Sequence, residues 1–166
     1  MRPFVFLLIT VFMLGACSQV VFTNSKSIRG VALSSFPGQM HGVYTDSIMR
    51  LDIYDDGFTF GAKHYRLTKK TPVKDQVQVK YSNDFYFAIL PYEQYFQVFM
   101  VKYSSEQIAV YMLNADKYSL NILQRFTALE NVTADSTLYV IDPSRSEFIE
   151  LVNNEVFDVV GVYKLQ

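Results

Sequence analysis

The chain has 166 residues and a formal net charge of -1, with 15 Lys plus Arg against 16 Asp plus Glu. That is one domain's worth of sequence with no overall attraction for nucleic acid or anionic lipid. Half the residues are apolar, 19% are charged, and 12 Tyr and 14 Phe accompany no Trp, which excludes disordered, collagen-like and disulfide-dense chains.

Met1 to Ala16 place one cation, Arg2, ahead of an apolar run too short to span a bilayer comfortably. This is the pattern of a secretory signal peptide. The run ends in Leu14-Gly15-Ala16-Cys17, an apolar residue and two small ones before the chain's only cysteine. In these first residues the chain resembles the bacterial lipoproteins. The resemblance implies signal cleavage between Ala16 and Cys17, a diacylated thioether on Cys17 carrying palmitate-like chains, and an acylated new amino terminus. Each buried methylene adds about 0.8 kcal/mol, so two or three chains anchor durably where one does not. The mature protein is then expected to hold to the membrane through lipid without spanning it. Ser18 stands where inner-membrane lipoproteins of enteric bacteria carry aspartate, so the resemblance favours the outer membrane, within the periplasmic envelope. With Cys17 acylated, no thiol remains for a disulfide, a nucleophile or a metal site.

Ser18 to Pro37 contain Thr23-Asn24-Ser25-Lys26-Ser27 and Ser34-Ser35, with one apolar cluster at Val20, Val21 and Phe22, and read mostly as a tether. The expected division is a signal peptide over 1–16, a lipidated N-terminus and tether over 17–38, and a single β-rich domain over 39–166.

From Gln39 onward apolar residues recur more often at a period of two than at 3.6. Ser47 to Tyr54 alternate Met49, Leu51 and Ile53 against Ile48, Arg50, Asp52 and Tyr54, a half-buried strand. Asp55-Asp56-Gly57 offer a turn in which Gly can take positive φ, and Phe58 to Leu67 return as the second strand of a hairpin. A loop with Lys69, Lys70, Pro72 and Lys74 precedes strands Gln76 to Tyr81 and Asp84 to Leu90, joined by a turn at Ser82-Asn83. Strands Tyr95 to Tyr103, Gln107 to Leu113 and Tyr118 to Phe126 continue an antiparallel meander. Phe85 to Leu90 and Tyr95 to Tyr103 are apolar on both faces, so both must be covered or one must expose a greasy patch. Tyr95, Phe99 and Val101 are the candidate partner or ligand face. After a strand over Ser136 to Ile141, Pro143 to about Asn153 read as a short helix with Pro in its first turn and Glu147 and Glu150 early. Its Phe148 and Leu151 are expected to cover one face of the meander, and Asp158 to Leu165 close the sheet. The fold class is mainly β: an antiparallel meander forming a small barrel or sandwich, with one short C-terminal helix and a closing strand.

His41 and His64 sit in no metal-ligand or catalytic motif, and no nucleophile elbow is present. No enzyme activity, catalytic residue, metal or cofactor is expected. The three lysines of the loop read as a solvated segment, and the aromatic residues as core and strand formers. Gly42-Val43-Tyr44, opening a strand series that ends in a helix and a strand, is similar to the Gly-x-Trp signature of calycin and lipocalin barrels. Tyr44 stands at the Trp position, and Lys164 stands where that family has an Arg packing over the indole. This resemblance implies a barrel around an apolar ligand cavity. Two functions follow: an envelope lipoprotein that binds a protein partner or supports outer-membrane assembly, and a carrier of a lipid or other apolar molecule. An enclosed apolar cavity of about 300 Å³ or more favours the carrier; a filled interior with an exposed apolar strand face favours the partner.

Overall fold

The computed structural model describes residues 19–113, 115, 117–131 and 138–166; the expected signal segment, Ala16 and Cys17 lie outside them. In chain order the elements are β1 (Gln19–Phe22), β2 (Val31–Ala32), β3 (Gly42–Thr45), β4 (Arg50–Tyr54), β5 (Gly57–Phe60), β6 (Lys63–Leu67), β7 (Gln76–Ser82), β8 (Phe85–Tyr92), β9 (Tyr95–Tyr103) and β10 (Gln107–Leu113). Then come α1 (Lys117–Phe126), β11 (Leu129–Asn131), β12 (Leu138–Ile141), α2 (Arg145–Asn153) and β13 (Phe157–Leu165).

Strands β3 to β10 and β13 close into a nine-stranded barrel, with β13 seated between β10 and β3 and β9 paired to β10. Closure comes from two unequal halves. β3 to β6 form one antiparallel meander, and β7 to β10 with β13 form the other. The halves meet at two short seams. β13 pairs with β3 only at Lys164 with Thr45 and Leu165 with Tyr44, and β6 runs parallel to β7 only at Arg66 with Gln76 and Leu67 with Val77.

The turns explain where the chain reverses. Asn83 and Asp84 both take positive φ, 49° and 65°, the geometry of a tight hairpin turn that Asn and Asp tolerate. The turn thus sits one residue beyond the expected Ser82-Asn83. Gly57 does not take positive φ; it is needed because a Cβ there would lie 2.2 Å from the Tyr65 carbonyl oxygen of the neighbouring strand. Phe58 to Leu67 is not one strand. Gly61, at φ 57°, reverses the chain between β5 and β6, and its N–H donates to the Arg50 carbonyl at 2.9 Å.

The doubly apolar strands β8 and β9 serve two cores. Ala88 and Val101 face the barrel interior with Tyr44, Leu51, Val79 and Ile108. Phe87, Ile89, Val98 and Met100 face outward, against β1, β12 and the two helices. Phe148 of α2 fills this second core, with ring centroids 5.3 Å from Phe87 and 6.1 Å from Phe22, and Phe148 and Leu151 are both buried. Ser144 caps α2: its hydroxyl accepts from the Glu147 N–H at 3.3 Å and its own N–H donates to the Glu147 carboxylate at 2.6 Å, a reciprocal capping box. Pro143 therefore precedes the cap instead of lying in the first turn.

Two further expectations are corrected. Lys117–Phe126 is a helix, not a strand over Tyr118 to Phe126, because Leu120, Leu123 and Phe126 recur at helical spacing and pack on the outer core. Gln19–Phe22 is not tether: β1 pairs parallel with β12 and touches β9 at Phe96, and Val20, Val21 and Phe22 are fully buried. Three consecutive buried residues suit a strand covered on both faces.

Candidate functional site

Inside the barrel lies a cavity of about 650 Å³. Alternation along each strand builds its wall: Leu51 and Ile53 from β4, Phe58 and Phe60 from β5, Val79 from β7, Ala88 and Leu90 from β8, Phe99 and Val101 from β9, and Ile108 and Val110 from β10. Polar side chains in the lining are few: Lys63, Gln97, Tyr65, Tyr86 and Tyr163. Such a lining, apolar with a few polar points, is typical of small-molecule sites of 300–1,000 Å³.

One end is plugged. The segment around Phe36 and Met40 packs into the barrel, and Tyr44 donates its hydroxyl proton to the Met40 carbonyl at 3.1 Å. Tyr103 likewise donates to the Gln39 carbonyl. The other end is open where β3 stops and β13 continues. Met49, Gly61, Ala62, Lys63 and Val160 line the cavity there. A bulge in β13 leaves Val160 without a partner, since Val110 opposes Gly161 and Tyr111 opposes Val159, and Val160 is half exposed at this mouth. Bulges re-aim side chains at barrel rims. Tyr163 crosses beneath it, its ring over Gly161, where a Cβ would come within 2.8 Å of the ring.

The phenols answer to this environment. Burial holds Tyr44, Tyr86 and Tyr163 above the ordinary tyrosine range, with nearby Tyr103 adding to the shift of Tyr44 and Asp46 to that of Tyr163. At the mouth Asp46 accepts from the backbone N–H groups of Met49 and Ile48, which lowers its carboxyl pKa and fixes the β3–β4 turn.

Of the candidate face, Phe99 and Val101 line the cavity, while Tyr95 does not. Tyr95 shares their side of β9 but sits at its start, where its hydroxyl accepts from the Gln94 amide at 2.9 Å. Tyr44 is buried in the barrel, but Lys164 is exposed and opposes Thr45. Lys164 therefore does not pack over the Tyr44 ring; strand parity turns it outward. His64 lies on the outer face, bonded to Tyr54 and within 3.3 Å of the Thr59 hydroxyl, and His41 Nε2 lies 3.2 Å from the Phe36 carbonyl.

Lys63 was not singled out by sequence. It starts β6 in phase with inward-facing Tyr65 and is the only charged residue, among those described, that lines the cavity. Only the Gly61 reversal, which sets that phase, could have revealed it. No known protein family, characterised protein or solved structure matches this chain.

Proposed function

We propose that the protein is a carrier that holds an apolar small molecule inside its barrel, anchored to the bacterial envelope, at the outer membrane, by acylated Cys17. The apolar cavity of about 650 Å³ carries this reading, because burying a ligand's hydrocarbon there removes it from water at roughly 25 cal/mol per Å² while little polar surface must be satisfied. The partner-binding alternative needs an exposed apolar face on β8 and β9. That outer face is instead occupied by Phe148, Leu151 and Leu123. The anchor rests on the Leu14-Gly15-Ala16-Cys17 resemblance.

The test is binding of a neutral, environment-sensitive fluorescent dye, with extraction and mass spectrometry of whatever co-purifies from native membranes. Saturable one-to-one binding is expected in the wild type and its loss in Ala88→Phe, which pushes a ring into the cavity from β8 without disturbing the outer core. Equal dye binding by the two proteins would place the dye elsewhere and sink the reading.

A further inference from the structure

We infer that the ligand is a single-chain amphiphile whose anionic head group meets Lys63 at the cavity mouth, an inference that rests on the carrier reading above and narrows its ligand class. An otherwise uncharged cavity carries one cation, and it sits at the edge rather than in the depth. Lys63 is exposed, so its ammonium stays hydrated while its aliphatic stem runs along the apolar wall. No carboxylate among the described residues pairs with it; the ion pair formed there is Arg50 with Asp52, at 2.7 Å on the outer face.

The same residue borders a second feature. Ala62, Lys63 and Tyr65 line both the cavity and a polar cleft beyond the β5–β6 turn, to which Arg66 and Lys74 contribute two more cations. Asp75 and Glu93 also border the cleft and Asp46 stands at the β3–β4 turn of the mouth, held by the Ile48 and Met49 N–H groups, so the attraction for an anion is local to Lys63, the one charged residue among those described that lines the cavity itself. A fully apolar ligand would make no use of this charge. A hydrocarbon tail in the barrel with its anionic end at Lys63 uses both surfaces. Lysine acts as a point charge without the planar fork that selects a carboxylate, so a carboxylate and a phosphate monoester share the required chemistry.

The experiment is competition against the neutral dye by hexadecanoate, hexadecyl phosphate and hexadecan-1-ol, in the wild type and in Lys63→Gln. At least one anion is expected to bind about five-fold more tightly than the alcohol, the ratio a solvent-exposed ion pair supplies. The preference should shrink as salt is raised and vanish in Lys63→Gln, in which anions and alcohol compete equally while thermal melting stays at the wild-type value. Whichever anion shows the preference names the head group. Equal affinity for all three ligands, or a preference that survives in Lys63→Gln, overturns the inference and leaves the carrier reading standing. Failure of all three to compete overturns both.

Discussion

Tyr44, Tyr86 and Tyr163 place phenols in a barrel whose other lining is nearly all apolar, and this gives the fold a defined response to alkali. Burial raises each phenol above the usual value near 10. The folded state therefore retains protons that the unfolded chain has released once pH passes about 10, and stability falls as pH rises through that window. Absorbance titration should show a delayed step, from Tyr44, Tyr86 and Tyr163, that ionises above the ordinary tyrosine value and together with unfolding. A single class ionising near 10 with no loss of structure would contradict the burial argument. Tyr44→Phe should cost about 1 kcal/mol at neutral pH, the net worth of its bond to Met40, and should lessen the alkaline loss. That Phe99 and Val101 share one face of β9, the face that lines the cavity, was legible because two-face apolarity is a sequence pattern. That Tyr95 falls outside the cavity lining and Lys63 inside it was not legible, since the first depends on where a cavity ends and the second on the Gly61 turn inside what reads as one strand.

α2 was legible because local signals agree there: Ser144 and Glu147 three residues apart, then Phe148 and Leu151 on one face. α1 was misread because Tyr118 to Phe126 mixes aromatic and aliphatic residues that suit either period over so short a span. The lid role of α2 predicts that Phe148→Ala costs about 3 to 5 kcal/mol, the range for a core aromatic, measured by denaturant titration. A loss under about 1 kcal/mol would mean that Phe148 does not fill the outer core. The N-terminal segment was misread because serine-rich composition hid a buried strand and a pair of carbonyls that accept from a half-buried lysine. Lys80 of β7 donates to the Ser25 and Ile28 carbonyls at 2.8 and 3.0 Å, and burial, with Arg145 nearby, lowers its pKa. A chain starting at Gln39 would lose β1, uncover the outer core and strip Lys80 of both acceptors. At roughly 1.5–3 kcal/mol for each fully buried large apolar side chain, the loss of Val20, Val21, Phe22 and Ile28 exceeds the stability of many domains. Such a chain should not melt cooperatively, whereas one starting at Ser18 should. Equal melting of the two would show that β1 is dispensable.

At the scale of the whole molecule, the two short seams decide how the barrel moves. Nothing in the strand patterns distinguished a barrel from a sandwich, because both bury alternate residues in the same way; the structure is a barrel whose halves are sealed by few bonds. Opening the seams at Lys164–Leu165 and Arg66–Leu67 would free the β3 to β6 meander as a unit while β7 to β10 and β13 keep their long ladders. Amides of β4 and β5 should therefore exchange with solvent faster than those of β8 and β9, through opening of part of the fold. The cavity spans both halves, with Leu51, Ile53, Phe58 and Phe60 on one side and Val79, Ala88, Phe99 and Ile108 on the other. A bound ligand must leave, or lose half its contacts, before the seams open. At a ligand concentration about 100 times its dissociation constant this linkage is worth about 2.7 kcal/mol, so exchange in β4 and β5 should slow about 100-fold. Amides of β8 and β9 that exchange only by global unfolding should slow equally, while frayed amides at strand ends should not change. Hydrogen exchange with and without saturating ligand measures this directly. Uniform exchange across both halves in the free protein, or unchanged rates in β4 and β5 on saturation, would show that the cavity does not bridge two separable halves.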